Sequence, residues 1–218
     1  MPHTHFAPLF VPPAKGGGME IFMNSKKTSF YAMLARMKYI ERWALMRNAE
    51  PENISEHSLE VSILAHALAF IGNTRLGKSY DADHIAMLGT YHDCTEIITG
   101  DMPTPIKYEN PDIQDAYKQI EKAAAFRLLN MLPEDIRASY ESYFIESSHD
   151  NNSHILVKAA DKLSAYIKCV EEEKAGNTEF KSAKATIAQA ITDLHCEEAD
   201  IFVKEFLPAY ELTLDELN

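Results

Sequence analysis

Cationic residues are in short supply. Across 218 residues the chain has 33 Asp and Glu against 21 Lys and Arg, a formal net charge of −12. A phosphate backbone or an anionic membrane calls for the opposite excess, so neither is the main partner. A small anionic substrate stays allowed if a metal or a local arginine offsets the field. Cysteine is also sparse: Cys94, Cys169 and Cys196, with no Cys-x-x-Cys. That excludes a disulfide framework and reads as reduced thiols in a cytoplasmic protein. No apolar run approaches the roughly 20 residues of a membrane span. Alternating β-branched runs are missing, so strands are not expected. What remains is the 46% hydrophobic and 25% charged content of an ordinary globule, at a length that buries one sizeable core.

Residues 1–24 stand apart. They hold Pro12-Pro13 and Gly16-Gly17-Gly18 with little periodicity and read as a flexible extension, without the basic start and apolar core of a secretory signal. From residue 25 to 218 a single all-α domain is expected. Phe30, Leu34, Met37 and Ile40 fall at helical spacing, and that helix closes near Arg42-Trp43. Asn53 reads as an N-cap with Glu56 three positions on, opening a helix that Gly72-Asn73 stops. Asp81 or Asp83 opens the next, which runs through His92-Asp93 to Gly100. Pro103 and Pro105 exclude a helix interior over Asp101–Pro105. Further helices are expected over about 112–131, from Pro133 towards the Ser147–Ser153 patch, and over 153–175. A last long one spans about 179–206.

Within this pattern a few polar residues sit where packing alone would not put them. His57 shares a helical stripe with Val61, Leu64 and Leu68, where an imidazole needs a partner. His66, nine positions on, faces elsewhere, and His84, His149, His154 and His195 read as ordinary or surface histidines. His92 and Asp93 interrupt an apolar run, and Glu96 follows them by one turn. Asp161 lies in the small-residue segment Ala159–Ala165, where burial is costly unless the carboxylate is paired or metal-bound. Three helices thus each point ligands inward. Two imidazoles and two carboxylates make an N/O site for one divalent ion such as Co, Mn, Fe, Ni or Zn. No cysteine joins them, which removes the main sign of a structural zinc. Glu171-Glu172-Glu173 reads as a solvated helix face.

The order His57 … His92-Asp93 … Asp161 resembles the HD-domain superfamily of metal-dependent phosphohydrolases, and more narrowly its bacterial 5'-deoxynucleotidase family, the YfbR-like proteins. The likeness is carried by Glu41-Arg42-Trp43-Ala44-Leu45-Met46-Arg47-Asn48, by Glu52-Asn53-Ile54-Ser55-Glu56-His57-Ser58-Leu59, and by Tyr91-His92-Asp93 with Glu96. It continues through Thr99-Gly100-Asp101-Met102-Pro103-Thr104-Pro105-Ile106-Lys107-Tyr108, Lys158-Ala159-Ala160-Asp161, Glu171-Glu172 and Leu212-Thr213-Leu214-Asp215-Glu216. Only the N-terminal extension departs from it.

The resemblance implies a helical HD-domain bundle with one metal site between helices. It also implies hydrolysis of deoxyribonucleoside 5'-monophosphates to deoxynucleoside and phosphate, by a cytoplasmic homodimer that cobalt often activates. By matching position, His57, His92, Asp93 and Asp161 would hold the metal, with His57, Asp93 and Asp161 also facing substrate. Arg42 would hold the phosphate, and Trp43 would pack on the sugar so as to exclude a ribose 2'-hydroxyl. Asp101, Met102, Pro103 and Thr104 would line the substrate site. Glu96, Arg42 and Asp101 would serve catalysis, with the division of labour between Glu96 and Asp101 left open. Two other readings keep the same residues. One is an HD phosphohydrolase acting on nucleoside triphosphates, cyclic dinucleotides or ppGpp; the other is a non-catalytic nucleotide-binding module.

Overall fold

The computed structural model of the chain describes residues 28–107, 110–145 and 150–217. The extension read over residues 1–24, His149 and the side chain of Thr104 lie outside the described residues. In chain order the elements are α1 (Phe30–Leu34), a 3-10 turn (Met37–Tyr39), α2 (Ile54–Arg75), α3 (Ala82–Tyr91) and α4 (Glu96–Thr99). There follow α5 (Thr104–Lys107), α6 (Pro111–Leu129), α7 (Glu134–Phe144), α8 (Asn151–Lys174), α9 (Lys181–Asp193), α10 (Glu197–Glu205) and a 3-10 turn (Leu207–Glu211). Among the described residues there is no strand, only an isolated bridge between Glu41 and Asn53. The all-α expectation holds.

Helix α2 is the axle. Its start is the expected capping box: the Asn53 side chain accepts from the Ser55 and Glu56 amides, and Glu56 reaches back to the Asn53 amide. These bonds satisfy donors that a helix start leaves orphaned. Beyond the cap, His57, Val61, Leu64 and Leu68 are buried on one stripe, packed mainly against α3 and α8. At Gly89 an added Cβ would lie 2.9 Å from Ser62 Cα, so glycine lets α3 press directly on α2. Thr90 Oγ1 then donates to Ser62 Oγ at 3.1 Å across the same contact.

Two apolar clusters result. The larger joins α2, α3, α8 and the α10 region through Val61, Leu68, Leu88, Leu163, Ile167 and Phe202. The smaller joins Phe30, Met37, Ile54, Cys94, Leu128 and Leu129. The candidate ligands lie at the seam between them: His57 stands between Ile54 and Val61 on α2, and Asp93 precedes Cys94. The three cysteines are buried and free.

Several expected boundaries move, each for a visible reason. The first helix is short, because Ile40 turns extended and pairs with the chain ahead of α2. Arg42 N–H donates to Glu52 O at 2.9 Å and Ile54 N–H to Ile40 O at 3.0 Å, so Arg42 and Trp43 sit on a loop rather than at a helix end. Gly72 does not stop α2, which runs on to Arg75. An added Cβ there would sit 2.5 Å from Tyr80 Cε2, so glycine serves close packing instead. The helix through His92-Asp93 is interrupted: α3 ends at Tyr91 and α4 starts at Glu96. Thr104–Lys107 is one helical turn despite Pro105, because a first-turn residue needs no N–H partner. The last long helix is two helices, broken where His195 takes a left-handed φ of 48°. That break brings Cys196 Sγ to within 3.4 Å of Glu198 Oε2, whose other oxygen accepts from Tyr80. Glu172 is also not solvated: it is 1% exposed and accepts from Lys168, from Asn177 and from the Ala49 and Glu50 amides.

Candidate active site

The break after α3 is what gathers the ligands. Residues 92–95 form a tight turn in which Cys94 N–H donates to Tyr91 O at 3.1 Å and Glu96 N–H to Asp93 O at 2.9 Å. These three-residue bonds break the α-helical repeat over the turn, and within it His92 Nε2 lies 3.1 Å from Asp93 Oδ2. The His92 Nδ1–H donates to Gly89 O at 2.8 Å. That fixes the tautomer and leaves Nε2 as the lone-pair nitrogen facing the site. The His57 and His92 rings stand 5.2 Å apart. One donor atom from each of His57, His92 and Asp93 lies within 4.8 Å of the others.

His57 is fully buried. Its Nδ1 lies 3.0 Å from Ser164 Oγ, whose hydroxyl donates to Glu60 Oε2 at 2.6 Å. A hydroxyl that donates to a carboxylate is free to accept from Nδ1–H, which again aims Nε2 at the site. Arg42 Nη1 lies 2.8 Å from the same Nδ1 and, being a donor only, bonds it when Nδ1 carries the lone pair. With Nδ1–H turned to Ser164, Arg42 Nη1 keeps Glu52 Oε2 as its acceptor at 2.9 Å. His57 Nε2 stands 3.5 Å from Asp93 Oδ2 and 3.2 Å from Asp161 Oδ1. Asp161 is 29% exposed at its side chain rather than buried and falls outside the mutual group of His57, His92 and Asp93. It touches that group through His57 and lies 3.9 Å from Arg42 Nη2.

The donor set fits a divalent ion. The Nε2 atoms of His57 and His92 are both buried without a hydrogen-bond partner. Two orphan imidazole nitrogens beside a carboxylate leave a cation as the partner that satisfies all three. The surrounding carboxylates favour positive charge at this point, a cation or, without one, a proton on His57. Burial and Arg42 lower the His57 pKa, but Asp161 and Asp93 outweigh them and hold it at about 8. Burial raises Asp93, yet His92 and His57 keep it well below the ordinary carboxylate value. Asp161 is likewise held low, chiefly by His57 against its burial.

The rim carries the remaining candidates. Glu96 is buried with Oε2 unpartnered, and burial, then Asp93 and Asp101, push it up to about 9. Asp101 is raised as well by burial, while Arg42 and the Trp43 backbone N–H pull it back. Trp43 has a φ of 60°, a left-handed conformation rare for a bulky side chain and costing about 1–3 kcal/mol. Its ring packs 5.3 Å from Phe180 and 5.7 Å beneath the Arg42 guanidinium. Met102 and Pro103 are partly exposed on the adjoining loop. Sequence reasoning passed over Glu52, Glu60, Ser164 and Gly89. Glu52 stood inside a quoted stretch, but only the folded chain shows what it holds.

The chain has close relatives. Residues 29–210 match the family described as 5'-deoxynucleotidase YfbR-like. The chain belongs to the YfbR-like family. Proteins named 5'-deoxynucleotidase from Vibrio atlanticus and Vibrio cholerae are each 48% identical over 193 residues, 88% of this chain and the whole of each relative. The one named from Salmonella arizonae is 45% identical over 88% of this chain and 97% of its own length. Among solved structures, an HD-domain phosphohydrolase from Listeria innocua shares the fold with a TM-score of 0.72 at 18% identity, over 84% of this chain and 88% of that one. The cyanophage S-2L HD phosphohydrolase, bound to dA and one catalytic Zn2+ ion, aligns with a TM-score of 0.59 at 19% identity, covering 84% and 96%. As a member of a 5'-deoxynucleotidase family the chain is a hydrolase, and it shares its fold with these HD-domain phosphohydrolases. Among the described residues no helix is long and apolar enough to cross a membrane.

Proposed function

We propose that the protein hydrolyses deoxyribonucleoside 5'-monophosphates to deoxynucleoside and phosphate, and selects against ribonucleotides. The observation that carries the reading is the pair of orphan imidazole nitrogens beside Asp93, with Arg42 and a buried Glu96 close enough to act on the same charges. His57, His92, Asp93 and Asp161 would hold one divalent ion, with cobalt or manganese the expected activators. When bound, such an ion polarises a phosphoryl oxygen and acidifies a water.

The chain's own residues supply the rest. Arg42 is a permanent cation beside these ligands: burial opposes its charge, but Glu52, Asp161, Asp93 and Asp101 sustain it. Its planar fork matches phosphate oxygens. Glu96 holds its proton at neutral pH, so it is placed to give that proton to the departing 5'-oxygen. Asp101, tied to the Trp43 amide, orients rather than transfers. The Trp43 face receives C2' as CH2, whereas a 2'-hydroxyl there would be desolvated and unpaired. That penalty is about 1–3 kcal/mol, or roughly tenfold to a hundredfold in preference. Met102 and Pro103 would line the sugar side, with His57, Asp93 and Asp161 toward the phosphate; the part assigned to Thr104 rests on the family likeness. A homodimer and a cytoplasmic setting complete the reading, on the strength of the family likeness.

The test is phosphate release from dAMP and AMP by EDTA-stripped protein resupplied with Co, Mn, Mg or Zn. Metal-dependent release from dAMP that is weak with AMP supports every part. Equal rates discard the role of Trp43. Pyrophosphate or triphosphate release from a nucleoside triphosphate, with no action on monophosphates, overturns the substrate assignment.

A further inference from the structure

Arg42 and Trp43 are neighbours in sequence whose side chains do different jobs, one toward phosphate and one toward sugar. A single atom joins them. Glu52 Oε2 accepts from Arg42 Nη1 at 2.9 Å and from Trp43 Nε1 at 2.7 Å. The Glu52 and Arg42 side chains are each only 12% exposed, so both bonds are shielded from water and short, as charge-assisted bonds are.

The backbone fixes this carboxylate in place. Arg42 N–H donates to Glu52 O, Ile54 N–H donates to Ile40 O, and Glu41 bridges Asn53. Segments 40–42 and 52–54 therefore move as one, and Glu52 lies one residue before the Asn53 cap of the helix that carries His57. The carboxylate thus takes its position from the same element as the metal-facing imidazole.

Each partner needs the restraint. A guanidinium has five N–H donors, and with Nη1 held by Glu52 beside His57 Nδ1 the fork presents its other edge, beside Asp161, in one orientation for a phosphate. Trp43 starts from a left-handed backbone, and its indole packs against Phe180 and beneath the Arg42 guanidinium. The Nε1–H bond settles which edge of the ring faces the sugar.

We propose that Glu52 is the positioning residue for substrate selection, setting the phosphate-binding guanidinium and the sugar-facing indole through one carboxylate oxygen. This rests on the roles given above to Arg42 and Trp43. Two variants separate the two arms. Glu52→Gln keeps an oxygen acceptor for the indole and removes the charge beside Arg42. Glu52→Ala removes both. Trp43 is the only tryptophan in the chain, so intrinsic fluorescence reports on it directly.

The experiment measures kcat and KM for dAMP and AMP in the cobalt-loaded enzyme, with tryptophan emission and anisotropy alongside. Glu52→Gln should raise KM for dAMP about tenfold and keep the parent dAMP/AMP ratio and emission. Glu52→Ala should raise KM likewise, cut the ratio about tenfold or more, shift the emission maximum and lower the anisotropy. A loss of stability alone leaves the ratio unmoved, because both substrates see the same folded fraction. An unchanged ratio and emission in Glu52→Ala overturns the proposal. If Glu52→Ala does not fold, the isosteric Glu52→Gln decides: KM within twofold of the parent overturns it. If the parent itself treats dAMP and AMP alike, the Trp43 reading falls, and the KM arm still tests Glu52.

Discussion

Glu96 and Glu172 are both buried, at 7% and 1% exposure, and they end in opposite states. Glu172 lies under the loop after Trp43. There Lys168, Asn177 and the amides of Ala49 and Glu50 bond its two oxygens and, against its burial, pull its pKa down to about 2. Glu96 faces the ligand turn. One oxygen is without a partner, and burial together with Asp93 and Asp101 pushes it up to about 9. Burial therefore does not decide the charge of a carboxylate; the completeness of its hydrogen-bond shell does. The sealed one serves structure, fastening the loop that leads from Trp43 to Glu52. The unsealed one keeps its proton, as the donor role proposed for it requires.

The contrast breaks first at Glu96. Glu96→Gln keeps the shape but cannot transfer a proton, so phosphate release from dAMP should fall about a hundredfold to ten-thousandfold. Stability should respond with its own sign. The Glu96 pKa is raised, so its contribution to the metal-free protein is fully present below the ordinary 4.5 and is lost as pH rises toward about 9. Thermal melts of the metal-free variant should lack that loss. A parent and variant with parallel melting curves across pH 5–9 would contradict the state assigned to Glu96.

Glu172→Gln should do the reverse, lowering stability by about 3 kcal/mol because Lys168 is left buried and uncompensated. The melting temperature should drop by roughly 10 °C. Here the pKa is depressed, so the parent's contribution is present above 4.5 and is lost as pH falls toward about 2. The gap between parent and variant should therefore close in acid. A gap that persists at low pH would show that the carboxylate charge is not what the variant removes.

A smaller effect is expected at Ser164, which spans Glu60 and His57. Ser164→Ala frees the imidazole to turn and should weaken cobalt binding, read by calorimetry, about tenfold to a hundredfold. Smallest is Asn53→Ala, which removes the cap of the helix carrying His57 and should cost about 1 kcal/mol in stability. An Asn53→Ala variant as unstable as Glu172→Gln would mean that the cap does more than satisfy two amides.

Local patterns with local causes were legible. The capping box at Asn53 and Glu56 needs only four consecutive residues, and the stripe from His57 to Leu68 needs only the helical repeat. The tail of that same helix was not legible, because Gly72 looks like a stop until Tyr80 is found against it. The long helix expected over 179–206 failed similarly. Its periodicity is continuous across His195, and the break is held by Cys196, Glu198 and Tyr80, the last more than a hundred residues away in the chain. Glu172 read as solvated because its neighbours Glu171 and Glu173 look alike, while its partners Ala49 and Glu50 come from a distant loop.

The sequence by itself determined an all-α chain, the inward stripe bearing His57, the adjacent His92 and Asp93, and the family to which they point. These follow from residue type and spacing, which act over one or two helical turns. Tertiary structure alone decided that α3 ends at Tyr91 so that His92 and Asp93 face α2 together. It also decided that two histidine nitrogens stay unpartnered, and that one buried glutamate is charged and another is not. The reason is physical: whether a buried polar atom finds a partner depends on groups brought together from far along the chain, and spacing does not record them.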